Sequence, residues 1–347
     1  MRNPKRERCG IAAGGNWIVD RVKILDCLPG RGMLGNILSE AVSTGGAPAN
    51  VLADLAKMGA EFPLVGLGVV GGDPDGGLIL RNFRKLGVDV TGISVERGAV
   101  TSYTDVMTDK ATGERAFFHC RGANALFGPG HVKVASLGCR IFHLGYILLL
   151  DRMDEADGRY GTVAAGLLRG LQRAGIATSV DVVSEEGNRF RRIVPPALKY
   201  VDYLVINEIE AGRTVGVNVR DGKDRLIGPA LREAIEKLAR LGKMRLIAIH
   251  APEGVLMRDE AGKHYSCGSL ELPKGFIKSA VGAGDAFCAG MLYGLHEGWH
   301  CLEAARLAAC CATASLSADG ATEGLRTISE VLKYSRKFRE RKAPVET

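Results

Sequence analysis

The sequence predicts an α/β fold: a mostly parallel central sheet, helices on both its faces, and a small β-sheet inserted as a lid. Three observations predict it. Short apolar runs alternate with amphipathic helical segments over most of the 347 residues, and strand then helix, repeated, is the pattern of a sheet packed between two helical layers. One region breaks that rhythm with β-prone residues around a polar turn. The apolar fraction, 46%, is that of an ordinary globular chain and excludes long disordered regions.

In chain order, the candidate strands are 11–19, 63–70, 141–144, 176–182, 203–206 and 245–249. Helices are expected at 48–58, 78–86, 161–173, 230–241, 286–295 and 302–317. The irregular stretch 21–42 carries Pro29-Gly30-Arg31-Gly32 and Gly35. Residues 100–107 and 115–120 flank Asp109-Lys110-Ala111-Thr112-Gly113-Glu114, which reads as a hairpin loop. These pieces cannot bury a core of their own, so they are expected to form a small sheet over a ligand cleft, inserted from about 21–42 and 97–121. One domain then spans 9–330, with 1–8 and 335–347 as flexible or peripheral termini.

Composition excludes several functions. Much of the net charge of +7 sits at the two ends, and the run Lys333–Lys342 reads as a solvated helix face. No helix-turn-helix, zinc-finger or RNA-recognition pattern accompanies it, so no nucleic-acid partner is expected. A mild positive excess does suit an anionic substrate. No apolar stretch approaches the roughly 20 residues of a membrane span, and the charged start of the chain does not read as a signal peptide. Nine cysteines, none spaced C-x-x-C, point to a reducing cytoplasm without a disulfide framework or zinc site.

The chemistry concentrates in Ser279-Ala280-Val281-Gly282-Ala283-Gly284-Asp285. A glycine-flanked turn opens an apolar helix, so the amides of Gly282, Ala283 and Gly284 are expected to point at one spot before the helix, an anion site for a phosphate. A carboxylate beside an anion hole makes sense if Asp285 takes a proton from a hydroxyl that attacks the held phosphoryl group; the bland alternative is a helix cap. Gly45-Gly46-Ala47-Pro48-Ala49-Asn50 runs into a helix, bringing backbone close to a ligand and offering an amide that distinguishes a polyol's hydroxyls. Asp20 follows the first strand at its carboxyl end, where ligands of open sheets lie. Asn207 and Glu210, three apart after a strand, are expected to face hydrated Mg²⁺ and nucleotide phosphates, with Glu208 solvated. Gly66-Leu67-Gly68-Val69-Val70-Gly71 matches a dinucleotide fingerprint literally but leads into Gly72-Asp73-Pro74 and is a decoy. His119, His131 and His143 fit no one-face ligand pattern and read as structural.

In this order, the segments from Cys9 to about Thr327 resemble the ribokinase-like (PfkB) carbohydrate kinases. The resemblance rests on Gly45-Gly46 through Asn50 with Gly59, on Asn207 and Glu210, and on Gly282-Ala283-Gly284-Asp285. It implies a three-layer α/β/α fold and an ATP- and Mg²⁺-dependent kinase acting on a sugar hydroxymethyl group. By resemblance Asp285 is the base and Gly282-Ala283-Gly284 the anion hole. Asp20, Gly45, Gly46, Asn50 and Asn124 bind the acceptor, while Asn207, Glu210 and Gly254 serve the nucleotide, the first two through metal-bound water. In some members the lid also forms a dimer contact, which implies a homodimer. Two departures stand out. Ser279-Ala280 replaces an Asp-Thr of many members, putting monovalent-cation activation in doubt. Ile249-His250-Ala251-Pro252-Glu253-Gly254 keeps only the last glycine of a T-x-G-x-x-G pattern. The rival readings are a nucleoside kinase, for which Trp17 is the nearest aromatic to stack a base, and a non-catalytic sugar- or partner-binding homologue.

Overall fold

The computed structural model describes residues 8–184 and 187–346, so most of the basic cluster at 2–8 lies outside the described residues. The strands are β1 (Ile11–Gly15), β2 (Ile18–Leu25), β3 (Ile37–Gly45), β4 (Leu64–Gly71), β5 (Asp89–Glu96), β6 (Tyr103–Asp109), β7 (Arg115–Cys120), β8 (Ile141–Ile147), β9 (Ala156–Asp157), β10 (Gly161–Thr162), β11 (Ala177–Val182), β12 (Tyr203–Asn207), β13 (Leu246–Ala251), β14 (Gly254–Asp259) and β15 (His264–Gly268). The helices are α1 (Ala47–Lys57), α2 (Pro74–Lys85), α3 (Asp151–Asp154), α4 (Val163–Arg173), α5 (Phe190–Leu198), α6 (Glu208–Val215), α7 (Gly228–Ala239), α8 (Ala283–His296), α9 (Cys301–Leu316), and the short α10 (Ile328–Val331) and α11 (Lys333–Lys337).

Nine strands form one sheet in the order β15-β14-β13-β12-β11-β8-β1-β4-β5. Every pair from β13 to β5 is parallel, and the β13-β14-β15 edge is antiparallel. Alternation along each strand feeds two cores, because successive side chains leave opposite faces. On β13, Leu246 and Ala248 pack with α1, α8 and α9, whereas Ile247 and Ile249 pack with α4, α5 and α7. The sequence does not announce α5, because Pro195 and Pro196 lie inside it and prolines argue against a helix interior.

The expected single strand 11–19 is two strands. β1 stays in the large sheet, the chain turns at Asn16-Trp17, and β2 crosses into a separate four-stranded sheet of order β3-β2-β6-β7. Its strands span 18–45, beyond the expected 21–42 at both ends, and 103–120, inside the expected 97–121. Trp17 is wholly buried, donates its indole N–H to the Leu67 carbonyl at 2.8 Å, and lies where side chains on Gly66 and Gly68 would collide with it. The literal dinucleotide fingerprint is therefore a slot inside β4 for an indole. Trp17 cannot stack a nucleoside.

Asn124 departs from its expected role at the acceptor. It is fully enclosed, and its amide accepts from the Trp17 N–H at 3.1 Å and donates to the Trp17 carbonyl at 3.2 Å. It pins the crossover between the two sheets. The carboxy-terminal segment is not loose either. Phe276, Tyr334 and Phe338 form an aromatic cluster, after which Glu340 bridges to Leu270.

Candidate active site

The site lies at the carboxyl ends of the central strands, where loops and helix starts converge. Gly282 sits at the cap of α8 with φ 78°, a left-handed conformation, and a side chain there would meet the Ala321 carbonyl at 2.5 Å. Only glycine meets both demands. The amide geometry differs from the expected trio. Ala283 turns its N–H back to the Ala280 carbonyl at 3.4 Å. Among the described residues, the amides of Gly282, Gly284 and Asp285 have no acceptor, so the set of unpaired amides lacks the expected Ala283 and includes Asp285.

Asp285 lies in the first turn of α8 and is only 5% exposed. Asn50 donates to one carboxylate oxygen at 2.7 Å. The Tyr146 hydroxyl, from the end of β8, reaches both oxygens at 2.9 and 3.0 Å. Burial pushes this carboxyl up to about 6, while the two hydrogen bonds pull it back down. Tyr146 is itself held well above its ordinary value by burial and by the charges of Asp285 and Asp181, so it stays a donor.

Asp20 leans towards the same place from β2. Burial and then the Asp285 charge raise it to about 6, against a hydrogen bond from Thr104. Gly45 leaves room for its carboxylate, and Gly46, at φ 97°, leaves room for the Asn16 carbonyl. The glycine pair thus lets the small sheet close against the start of α1, where Asn50 is one turn in.

Asn207 and Glu210 form a reciprocal capping box on α6: the Glu210 amide donates to Asn207 Oδ1 at 2.8 Å and the Asn207 amide to Glu210 Oε2 at 3.0 Å. Ser184 adds a hydrogen bond to Glu210 at 2.8 Å. Burial raises Glu210 to about 7. Asp181, at the end of β11, is pushed well above the carboxylate range by burial and by the charges of Glu210 and Asp285. Glu208 is not solvated as expected; it is buried and pairs with Arg220 at 2.6 Å.

Two cavities meet here. One of about 490 Å³ holds Asp285, Gly282, Tyr146, Asp181 and Glu210, with Arg115 and Phe117 reaching over from β7. Arg115 comes within 3.4 Å of the Ser279 hydroxyl. The other, about 520 Å³, runs past Gly284 and His250 to Gly254, Leu270, Leu272 and Ile277. His250 borders both, stacks on Phe287 at 4.9 Å, and is depressed to about 4 by burial. Sequence reasoning missed Tyr146, Asp181, Ser184, Arg115 and His250. Tyr146 and Asp181 are polar residues near the carboxyl ends of β8 and β11, the place at which Asp20 was expected; Asp20 instead lies inside β2, because the expected strand 11–19 breaks at Asn16-Trp17.

Similarity to known proteins decides the family. A model of the pfkB family carbohydrate kinases matches residues 32–328. The chain belongs to that family. It is 28% identical over 281 residues to an ATP-dependent ribose-1-phosphate kinase of Halopiger xanaduensis, covering 80% of this chain and 81% of that protein. It is 28% identical over 258 residues to a fructokinase of Escherichia coli, covering 72% and 76%. The fold matches Arabidopsis thaliana ribokinase complexed with ribose and ATP, with a TM-score of 0.76, 20% identity, and 94% of this chain and 98% of that one covered. The large sheet between helices and the small separate sheet are thus those of the ribokinase-like fold. The chain is a carbohydrate kinase.

Proposed function

We propose that this kinase moves the γ-phosphoryl group of ATP to a hydroxymethyl group of a sugar or sugar derivative, with Asp285 as general base. The observation that carries the reading is one cavity lined by a buried carboxylate, the Tyr146 hydroxyl bonded to it and unpaired amides at a helix start, with Asn50 donating to the same carboxylate. Asp285 accepts the proton of the acceptor hydroxyl, while Asn50 and Tyr146 fix the carboxylate's direction. The amides of Gly282, Gly284 and Asp285 hold the phosphoryl oxygens as charge develops on them. Asp20 accepts from a second acceptor hydroxyl. The small sheet, bringing Arg115 and Phe117 to the cavity, acts as a lid that excludes water.

The residues also suit Mg²⁺. Asp181 and Glu210 repel one another across the cavity, and a divalent cation would relieve that repulsion. Among the described residues no three His, Cys, Asp or Glu side chains converge to ligate an ion directly, which favours a hydrated ion held through Asp181, Glu210 and Asn207. Bound there, it would neutralise phosphate charge.

A sugar is favoured over a nucleoside because Trp17 is sealed in the core and the relatives similar in sequence are named as kinases of sugars and sugar derivatives, although a nucleoside kinase of Methanocaldococcus jannaschii shares the fold. Measuring ADP release across pentoses, hexoses, sugar phosphates and nucleosides tests the proposal. Turnover of a sugar or sugar phosphate is expected; turnover of nucleosides alone, or none despite ATP binding, would overturn it. Met33, Leu34, Ile37, Leu38 and Val42 are at least half exposed on and before β3, which supports a homodimer through the lid, to be tested by sedimentation. No helix of the described residues is long and apolar enough to cross a membrane, in keeping with a proposed cytoplasmic location.

A further inference from the structure

The matched family region ends at residue 328, yet the chain beyond it is built into the site. The segment after Phe338 runs antiparallel to the rim of the 520 Å³ cavity. Glu271 donates its amide to the Arg339 carbonyl at 2.8 Å, Arg341 donates to the Ser269 carbonyl at 2.8 Å, and Gly268 donates to the Glu340 carboxylate at 3.1 Å. Two glycines clear its path. A side chain on Gly268 would collide with the Arg341 carbonyl, and one on Gly254 would meet Pro344 at 2.9 Å. The Phe276, Tyr334 and Phe338 cluster ties the same segment to the loop carrying Leu272 and Ile277, both of which line that cavity. Such an arrangement is costly for a tail with no task, because ordering each backbone residue costs conformational entropy.

Arg341 itself lines the cavity. It is exposed, and among the described residues its guanidinium has neither a carboxylate nor a carbonyl partner. It does not border the 490 Å³ cavity that holds Asp285. A nucleotide whose phosphates sit at Gly284 and His250 would extend its base away from Asp285, towards Leu270, Ile277 and Arg341. A planar cation against an aromatic base is a favourable pairing.

Accordingly we infer that the carboxy-terminal segment Arg339–Arg341 is a wall of the nucleotide site and that Arg341 binds the base end of the nucleotide. This rests on the assignment of the 520 Å³ cavity to ATP. The test measures affinities of the full-length protein for Mg·ATP and for inorganic tripolyphosphate, which has no base. Arg341→Ala should bind ATP about tenfold more weakly, with tripolyphosphate affinity and melting temperature unchanged. Arg341→Lys, keeping the charge but not the plane, should fall between the two. Unchanged ATP affinity would overturn the inference, and so would equal weakening for both ligands, which would place the guanidinium on the phosphates. A wild-type protein that binds neither ligand would instead remove the nucleotide reading of the cavity, a failure visible before any variant is made.

Discussion

The two adjoining cavities are built on opposite plans. Around Asp285, polar side chains hold one another: Asn50 and Tyr146 on the carboxylate, Ser184 and Asn207 on Glu210. Around Gly254 the walls are a sheet edge, aliphatic side chains and a strap of tail, with glycines where backbones pass close. The first plan fixes direction, as a proton transfer requires. The second provides shape and leaves direction to one arginine. On the proposed assignment, the difference teaches that the chemistry depends on a few oriented groups, whereas nucleotide binding is spread over a surface.

Variants at the first cavity should therefore cost far more than variants at the second. Asp285→Asn keeps the shape and the Asn50 contact but removes the proton acceptor; kcat should fall about 10²–10⁴-fold while ATP affinity, measured by calorimetry, is retained. Gly282→Val cannot adopt the left-handed cap and strikes the Ala321 carbonyl, so the amide row is displaced. Its kcat should drop about 10²–10³-fold, and a variant with near wild-type turnover would show that the row is not used.

Tyr146→Phe sharpens the comparison, since it removes a donor and nothing else. Its hydrogen bond lowers the Asp285 carboxyl, so without it the acid limb of kcat/KM should move to higher pH, with the KM for ATP unaltered. A limb that stays in place would mean Tyr146 only fills space. The smallest effect should be one of stability. Asp54, one turn beyond Asn50 on α1, is fully buried, and among the described residues neither of its oxygens has a hydrogen-bond partner. Burial and the nearby Asp285 charge raise it well above the ordinary range. A raised carboxyl favours its neutral form in the folded state, so its stabilising share is present below the unfolded value and is lost as pH rises. Asp54→Asn should be more stable by on the order of 1–3 kcal/mol at mildly alkaline pH, with that pH dependence flattened; equal melting curves across pH would contradict this.

How much of this was legible in the sequence follows the same division. Most of the parallel sheet and of its helices, though not β5 or α5, and the Gly282–Asp285 turn could be read because periodicity and glycine punctuation act locally. Asn50 and Glu210 were found because they open helices; Asp20 was singled out as following a strand 11–19, whereas it lies inside β2 of the small sheet. Tyr146 was not found, since its importance depends on a hydroxyl meeting a carboxylate 139 positions away. Asn124 was misassigned for the converse reason: its partner is the backbone of Trp17, 107 positions distant, and pattern alone does not separate a latch from a ligand. The tail was taken as peripheral because its lysines and arginines resemble any solvated face. Only the backbone pairing reveals what Gly254 and Gly268 accommodate.

The most direct test follows kcat/KM against pH for the wild type and for Asp285→Asn with the best acceptor. Asp285 and Asp20 are both raised to about 6 and Glu210 to about 7, so the limb alone does not name its owner. If Asp285 is the base, the wild-type rate climbs as pH rises through about 6, and the residual rate of Asp285→Asn is flat across that range. A limb at the same pH surviving in Asp285→Asn would assign it to another carboxylate and contradict the mechanism.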